Sequence, residues 1–358
     1  MTSGLHRLGT FETIPSESFV EWLAEADVAL AFTRRNELVT VGRNREDSLR
    51  IDTIAMGRVG GMAWQDRSLW LATAFQVWRF VDALTPGTTT DDGHDVFLLP
   101  QVGCTTGSLI VDDLAVIDGI PLLALGRFSC LATLSETVSF RPLWMPAWIS
   151  QLADDSRSPV TGVAVRDGEC THVTVSCTSD APDGWHGADR ATAGVLVDVR
   201  SDAVVARGLS MPYSPRWHSG RLWFCDAGRG RLMALDPASS ELQVITELPT
   251  FARGLDFIGD FAIVAGSVSR SGDLFDGLPL ATRLNDLGKR PEQGLWVIDT
   301  QTGKVVHRLT IDGTGREVFA VVAFPGVRSV GAVAPDDDEL QVMVAYDSTW
   351  NPARTTDS

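Results

Sequence analysis

The stretch GMAWQDRSLW at residues 61–70 has a counterpart in SPRWHSGRLW at residues 214–223. Both begin with a small residue, have tryptophan at the fourth position, continue through a polar turn and end in Leu-Trp. Weaker copies complete a set of six units, anchored on Met62, Leu114, Val163, Pro215, Leu255 and Phe319. The anchors recur every 40 to 64 residues, a period typical of repeat architectures.

Short runs within each unit alternate apolar and polar residues between Gly, Asp, Asn and Pro, as half-buried antiparallel strands do. Residues 221–236 predict two strands joined by a glycine-bearing turn, and residues 241–248 predict a further strand. Six four-stranded sheets arranged radially form a β-propeller, in which each blade buries both faces against its neighbours. We therefore predict an all-β fold, a single six-bladed β-propeller over residues 1–350.

Helical patterns are confined to two places. Residues 16–30, within an N-terminal extension over residues 1–30, predict a short amphipathic helix that carries Phe19, Trp22 and Leu23 and is capped by Ser16 or Ser18. Residues 280–287 predict a second helix in the fifth unit. The polar tail over residues 351–358 is predicted to be flexible.

The composition excludes several classes of function. Thirty basic and 46 acidic side chains give a net charge of −16, so neither nucleic acid nor a membrane surface is an expected partner. The most apolar stretch, residues 109–126, contains three aspartates, and residues 1–15 lack a signal pattern. Five cysteines without a Cys-x-x-Cys pair predict reduced thiols in a cytoplasmic protein.

Four motifs in order resemble a bacterial family of β-propeller proteins that carries a domain of unknown function, DUF4915. They are RFSCLATL at 127–134, SFRPLW at 139–144, GLSMPYSPRW at 208–217 and FDGLPL at 275–280. The resemblance covers about residues 17 to 330. It implies a six-bladed propeller and no particular reaction.

This sequence departs from the family pattern at the starts of several units. The family pattern has histidines at the openings of the second, third and fourth units, an asparagine in the third and an aspartate in the sixth. The corresponding residues here are Asp112, Pro159, Thr161, Tyr213 and Ala320. Because innermost strands begin at one mouth of the channel, we expect a less polar pocket there, suited to a bulkier or more apolar ligand.

The mouth is predicted to be bounded by Asp112, Thr161, Tyr213, Arg253 and Glu317. Tyr213 and Arg253 are candidate catalytic residues, since each could hydrogen-bond a substrate carbonyl that gains charge. Arg216 is a further candidate for binding a carboxylate or enolate oxygen. The alternative for both arginines is a salt bridge between blades.

The loop over residues 183–187 places Trp185 beside His186 in a long connection between strands. Trp185 could cover a ligand, and His186 is a candidate catalytic group for proton transfer near neutral pH. The alternative is an aromatic lid packed on the blade below, with a solvated histidine. Trp144 lies off the strand pattern of the other tryptophans and is a candidate substrate-binding residue.

No zinc, nucleotide-binding or serine-hydrolase motif is present, so no cofactor is expected. We predict a small-molecule substrate and a cofactor-independent cyclisation or isomerisation of the kind used in specialised-metabolite pathways, with homo-oligomerisation left open. One alternative is a non-catalytic protein-interaction scaffold. Another is a lactonase-type hydrolase with calcium bound by Asp112, Asp113 and Glu317, although Asp113 could instead order a turn.

Overall fold

The computed structural model of the chain describes residues 11–268, 277–313 and 317–344. Its strands form six sheets of four or five strands, which confirms the predicted six-bladed β-propeller. Blades are numbered here in chain order of their innermost strands, so that blade 1 begins at residue 59 and blade 6 at residue 318.

The first half of the chain supplies twelve strands: β1 (Phe11–Pro15), β2 (Val28–Arg34), β3 (Glu37–Arg43), β4 (Leu49–Ala55), β5 (Val59–Gln65), β6 (Ser68–Thr73), β7 (Gln76–Asp82), β8 (Val96–Thr105), β9 (Val111–Ile117), β10 (Ile120–Leu125), β11 (Cys130–Thr133) and β12 (Arg141–Trp144). Strands β5–β8 form blade 1 and β9–β12 form blade 2.

The second half supplies the remaining described strands: β13 (Val160–Arg166), β14 (Glu169–Val175), β15 (Gly194–Asp198), β16 (Ala203–Leu209), β17 (Pro212–His218), β18 (Arg221–Asp226), β19 (Arg231–Asp236), β20 (Glu241–Glu247), β21 (Phe251–Ile258), β22 (Phe261–Ser267), β23 (Gly294–Asp299), β24 (Val305–Gly313), β25 (Val318–Pro325) and β26 (Val330–Ala332). Strands β13–β16, β17–β20 and β21–β24 form blades 3, 4 and 5.

Blade 6 closes the ring with strands from both ends of the chain. Its innermost strand β25 pairs antiparallel with β2, with Val28 opposite Pro325, and β3 and β4 complete the sheet. Two further strands cover blade edges: β1 adds to β24 of blade 5, and β26 pairs in parallel with β8 of blade 1. The segment predicted to be an extension therefore contributes strands to two blades.

The hydrophobic core is divided among the blade interfaces. Six clusters of buried apolar side chains are present among the described residues, and each joins residues of two neighbouring blades. Phe324 of blade 6, for example, packs with Met62 and Phe80 of blade 1. Because alternate side chains of a strand face opposite sides of its sheet, one blade contributes to two clusters.

Both predicted helices are present. Helix α1 (Phe19–Glu25) buries Phe19, Trp22 and Leu23 as expected. The prediction of a side-chain cap was wrong, because Ser18 occupies the N-cap without such a bond and the Ser16 hydroxyl accepts from the amide of Arg308.

A single helical turn, α2 (Gly184–Gly187), lies between β14 and β15, and α3 (Pro279–Asp286) corresponds to the second predicted helix. The predicted flexible tail, residues 351–358, lies outside the described residues. None of the helices in the described ranges has the length and apolar character needed to span a bilayer. The five cysteines are free thiols.

Candidate functional site: the upper channel cavity

Each innermost strand has a register shift close to its first residues, so over that stretch it has one residue more than the neighbouring strand. In β9, β13 and β21 the unpaired residues are Asp112, Thr161 and Arg253. A β-bulge turns the extra side chain away from the regular alternation of the strand. The three bulged residues all line one cavity at this end of the channel.

This cavity, called the upper cavity below, has a volume of about 270 Å³. That is close to the lower end of the range for small-molecule sites, about 300 Å³. Its walls include apolar side chains such as Val59, Ile110, Met211 and Phe319 beside a few charged groups. Six predicted site residues line it: Asp112, Thr161, Trp185, Tyr213, Arg253 and Glu317.

The Arg253 guanidinium is held between two aromatic rings. Its central carbon lies 4.7 Å from the centroid of the Tyr213 ring and 4.5 Å from that of Phe319. Nη2 donates to Oδ1 of Asp112 at 2.6 Å, Nη1 donates to no residue of the described ranges, and Nε is buried without a hydrogen-bond partner there. Burial lowers the pKa of Arg253, but the nearby Tyr213 and Asp112 outweigh that effect and raise it, so the group stays cationic. Arg253 therefore retains donors for a ligand oxygen.

Asp112 uses one carboxylate oxygen for this ion pair. Its second oxygen, Oδ2, makes no hydrogen bond to any residue of the described ranges. A Cβ atom at Gly126 would lie 2.3 Å from Oδ2, so the space for this oxygen depends on glycine. Burial raises the pKa of Asp112 above its ordinary value, and the charge of Arg253 opposes the shift. A carboxylate with a raised pKa is a stronger proton acceptor than an exposed one.

Tyr213 supplies a neutral phenol beside this pair. Burial raises the pKa of Tyr213 to about 12, so its hydroxyl remains protonated at physiological pH. Its ring packs edge-on against Phe251 at a centroid distance of 5.9 Å. No group in the described part of the chain hydrogen-bonds its hydroxyl, which can therefore donate to a ligand.

Thr161 and Glu317 contribute differently to the walls. The Thr161 hydroxyl donates to the carbonyl of Pro212 at 2.5 Å, linking blades 3 and 4, so its proton is already used. Glu317 lies just before β25 and brings a carboxylate to the opposite side of the cavity from blade 3.

Trp185 lines the cavity from α2, and His186 does not. Trp185 is half-buried and packs against the apolar cluster that contains Met211 and Tyr213. His186 is exposed, with its ring 4.1 Å from that of Trp185. The helical turn starts after Asp183, which has a positive φ of 50°. Trp185 is thus the part of this loop that can contact a ligand.

Asp113 and Arg216 lie below the upper cavity and form a bidentate ion pair with each other. Nη1 and Nη2 of Arg216 donate to the two Asp113 oxygens at 2.7 Å each. The same carboxylate accepts from the amides of Leu114 and Val163. This pair connects blades 2, 3 and 4 at mid-channel, as the salt-bridge alternative for Arg216 expected.

Trp144 lies away from the channel, in the outermost strand of blade 2. Its Nε1 donates to Oδ1 of Asp202 at 2.7 Å, so it bridges to the hairpin between β15 and β16. It does not line the upper cavity.

The carboxylates considered for calcium do not form one cluster. Asp112 pairs with Arg253, whereas Asp113 pairs with Arg216 at a lower level. Within the described ranges, no group of three or more His, Cys, Asp or Glu side chains is arranged to hold a metal ion.

Several wall residues were missed by sequence analysis. Arg58, Ser108, Ile110 and Met211 lie in connections from the outermost strand of one blade to the innermost strand of the next. Arg127 follows β10 and forms an exposed ion pair with Asp154. Successive strands of a blade run in opposite directions, so all these connections lie at the same face of the propeller. The blade repeat alone therefore predicts that these residues lie at the upper cavity.

Comparison with solved structures supports the fold. The chain is similar to one in the crystal structure of a nidogen/laminin complex, with a TM-score of 0.53 and 11% identity, covering 84% of this chain and 99% of that one. Weaker matches, each with a TM-score of 0.39, are the Pan2 WD40 domain of Neurospora crassa and a virginiamycin B lyase from Staphylococcus aureus. The first is 14% identical over 70% of this chain and 65% of that chain. The second is 10% identical over 66% and 73%. At these identities the matches indicate no function.

A search of curated proteins found no significant match. The model of the family described as domain of unknown function DUF4915 matches residues 17–333, which is most of the chain. With the blade repeat and the ring of six sheets in agreement, the chain belongs to the DUF4915 family.

Proposed function

We propose that the upper cavity binds a small, largely apolar organic molecule through one carbonyl or carboxylate group and promotes a cofactor-independent isomerisation or cyclisation. The observation that carries this proposal is the grouping of Arg253, Asp112 and Tyr213 on three different blades around one apolar-walled space. Such a space with a few convergent polar groups is the usual form of a small-molecule site.

The charges favour binding through an oxygen. Arg253 is fixed in orientation by the rings of Tyr213 and Phe319 and by Asp112, and its Nη1 donates to no residue of the described ranges. A preorganised guanidinium and a neutral phenol donate to an oxygen that becomes negative during reaction without further reorganisation. Ile110, Met211 and Trp185 supply apolar contact for the remainder of the substrate.

The proton transfer can be written with these groups alone. Oδ2 of Asp112 removes a proton from the carbon next to the substrate carbonyl, and the electron pair of that C–H bond moves to the carbonyl oxygen. Arg253 and Tyr213 donate to the resulting enolate. If a C=C bond is conjugated with the enolate, Asp112 returns the proton to the far carbon of that bond, which gives an isomer. Otherwise the enolate carbon attacks a second carbonyl of the same molecule and closes a ring, and the alkoxide so formed takes the proton back from Asp112. Neither outcome requires an oxidant or a reductant.

A hydrogen-exchange experiment tests this chemistry before the natural substrate is known. We expect the protein to accelerate exchange of the α-hydrogens of 2-tetralone in deuterium oxide, measured by proton NMR. Asp112→Asn should abolish the acceleration, because the amide cannot accept the proton. His186→Gln, a change at an exposed residue beside the cavity, serves as the control and should leave the rate within about twofold.

Two results would contradict the proposal. One is an exchange rate no faster with the wild-type protein than with Asp112→Asn. The other is acceleration that survives in Arg253→Met, since the enolate would then be stabilised elsewhere.

A further inference from the structure

Arg58 is a cation on the wall of the upper cavity that the proposed reaction does not use. It lies in the connection between β4 and β5, is exposed, and directly precedes Val59, which lines the same cavity. Its guanidinium makes no hydrogen bond or ion pair with any residue that the structure describes. All the donors of this side chain are therefore available to a ligand.

The other two arginines of the wall already have carboxylate partners. Arg253 pairs with Asp112, and the charge of Glu317 also acts on it. Arg127 pairs with Asp154, which lies outside the lining. One arginine of the wall is thus left without a counter-charge among the described residues.

The charges at the mouth differ from those of the chain as a whole. The lining contains three arginines and two carboxylates, in a chain whose net charge is −16. Even when Asp154 is counted with them, the local charges balance. An anion is therefore not repelled from this mouth as it is from the acidic remainder of the protein.

Arg58 lies within electrostatic reach of the reacting groups. Burial raises the pKa of Asp112, and the charge of Arg58 opposes that shift, although less than Arg253 does. One small molecule in the cavity can therefore contact Arg253 with one end and Arg58 with the other.

Ile110 indicates an apolar contact for the part of a ligand near the mouth. Its φ is 55°, a conformation that β-branched residues rarely adopt, and its side chain lines the cavity. Met211 has a similar φ of 48° but is only 2% exposed, so packing in the core offsets its strain. Ile110 is 40% exposed and gains less from packing. Strained residues of this kind are concentrated at sites that contact ligands.

We propose that the substrate of the upper cavity is an oxo acid, whose carboxylate binds Arg58 while its separate carbonyl group lies at Arg253 and Tyr213. An apolar segment that contacts Ile110 joins the two groups. This inference rests on the proposed function, because the carbonyl end is the one that reacts. A guanidinium can bind a carboxylate through two parallel hydrogen bonds, so Arg58 determines which carbonyl compounds are accepted.

Calorimetry with a series of oxo acids tests the proposal. The acids are 5-oxohexanoate, 6-oxoheptanoate and 7-oxooctanoate, which differ in the spacing of the two groups, and each is compared with its uncharged primary amide. We expect at least one acid to bind about fivefold more tightly than its amide. This ratio should fall as the salt concentration is raised, because salt screens the charge of an exposed arginine.

Variants of Arg58 locate the carboxylate. Arg58→Gln should remove the preference for the acid, and Arg58→Glu should reverse it, because the new carboxylate repels that of the ligand. Arg207→Gln is the matched control, since Arg207 is an exposed arginine on β16, the outermost strand of blade 3, and does not line the cavity. It should keep the wild-type preference.

The proposal is overturned if no acid binds more tightly than its amide, or if the preference survives in Arg58→Gln. A preference that is kept in Arg58→Gln but lost in Arg253→Met would place the carboxylate at Arg253 instead. Binding and exchange are measured separately, so the two proposals can fail separately. Exchange of 2-tetralone without any preference for the acids contradicts only the oxo-acid inference. An Arg58-dependent preference without any exchange contradicts only the proposed reaction.

Discussion

Arg253 of blade 5 and Asp112 of blade 2 form a 2.6 Å ion pair across the channel mouth, although 141 residues separate them in sequence. Blades 2 and 5 are opposite each other in a ring of six, so the pair spans the mouth. Neither residue is paired in its own sheet, since both occupy bulges. The two bulges thus bring together groups that regular strands would have kept apart.

Removing one partner of the Arg253–Asp112 pair is expected to destabilise the folded protein. Arg253→Met leaves the Asp112 carboxylate buried without its cation and should lower the free energy of unfolding by about 3 kcal/mol in urea denaturation. The double variant with Asp112→Leu should recover most of that loss, because it removes the unpaired charge. A double variant no more stable than Arg253→Met would show that the pair is not the source of the effect.

Gly126→Ala tests the space around the second Asp112 oxygen. The added methyl group would lie 2.3 Å from Oδ2, so Asp112 must shift and the exchange reaction should fall at least tenfold. Gly187→Ala is the matched control, since a Cβ there meets nothing within 4 Å, and it should behave as wild type. Equal exchange rates for the two variants would show that Asp112 takes no part in the reaction.

The ionisation of Tyr213 can be measured directly. The chain has two tyrosines, so Tyr346→Phe leaves Tyr213 as the single phenol. Its absorbance at about 295 nm should titrate with a pKa of about 12 rather than near 10.

This shift also has a consequence for stability. The folded state holds the Tyr213 proton more tightly than the unfolded chain, so the contribution to stability is complete below about pH 10 and is lost as pH rises to about 12. Its size is about 3 kcal/mol. Titration near pH 10 in the folded protein would contradict the burial of the hydroxyl.

The pair below the cavity should affect stability more than an exposed pair does. Arg216→Met leaves Asp113 buried with two amide donors and no cation, and should cost about 3 to 5 kcal/mol. Arg127→Met breaks the exposed pair with Asp154 and should cost less than about 1 kcal/mol. Comparable losses in urea denaturation would argue against Asp113–Arg216 as a structural element of the channel.

The sequence contained enough to predict the ring of six blades, because each blade repeats the same alternation and turns. It also indicated that Asp112, Tyr213 and Arg253 would converge, since all three lie where innermost strands begin. The sequence could not show which of the neighbouring residues Asp112 and Asp113 lines the upper cavity. Adjacent side chains of a strand point to opposite faces, and the bulge decides which of these two faces the cavity. A bulge depends on how two strands pair rather than on either strand alone.

Trp144 shows a different difficulty. A tryptophan outside the strand pattern suggested a ligand contact, but its indole reaches the neighbouring blade and bonds Asp202, which is 58 residues away. The position of such a side chain depends on the radial packing of blades. Composition and spacing do not contain that information.

Blade 6 contains strands from both ends of the chain, so it can be completed only after the last of these strands has been synthesised. Strand β2 emerges early, but its partner β25 is made after nearly 300 further residues, with Leu30 finally opposite Ala323. At about 5 to 20 residues per second, β2 therefore waits for roughly 15 to 60 s with its inner edge unpaired. A ribosome that stops before residue 318 releases a chain without β25, so the inner edge of β2 stays unpaired and is open to pairing with a strand of another chain.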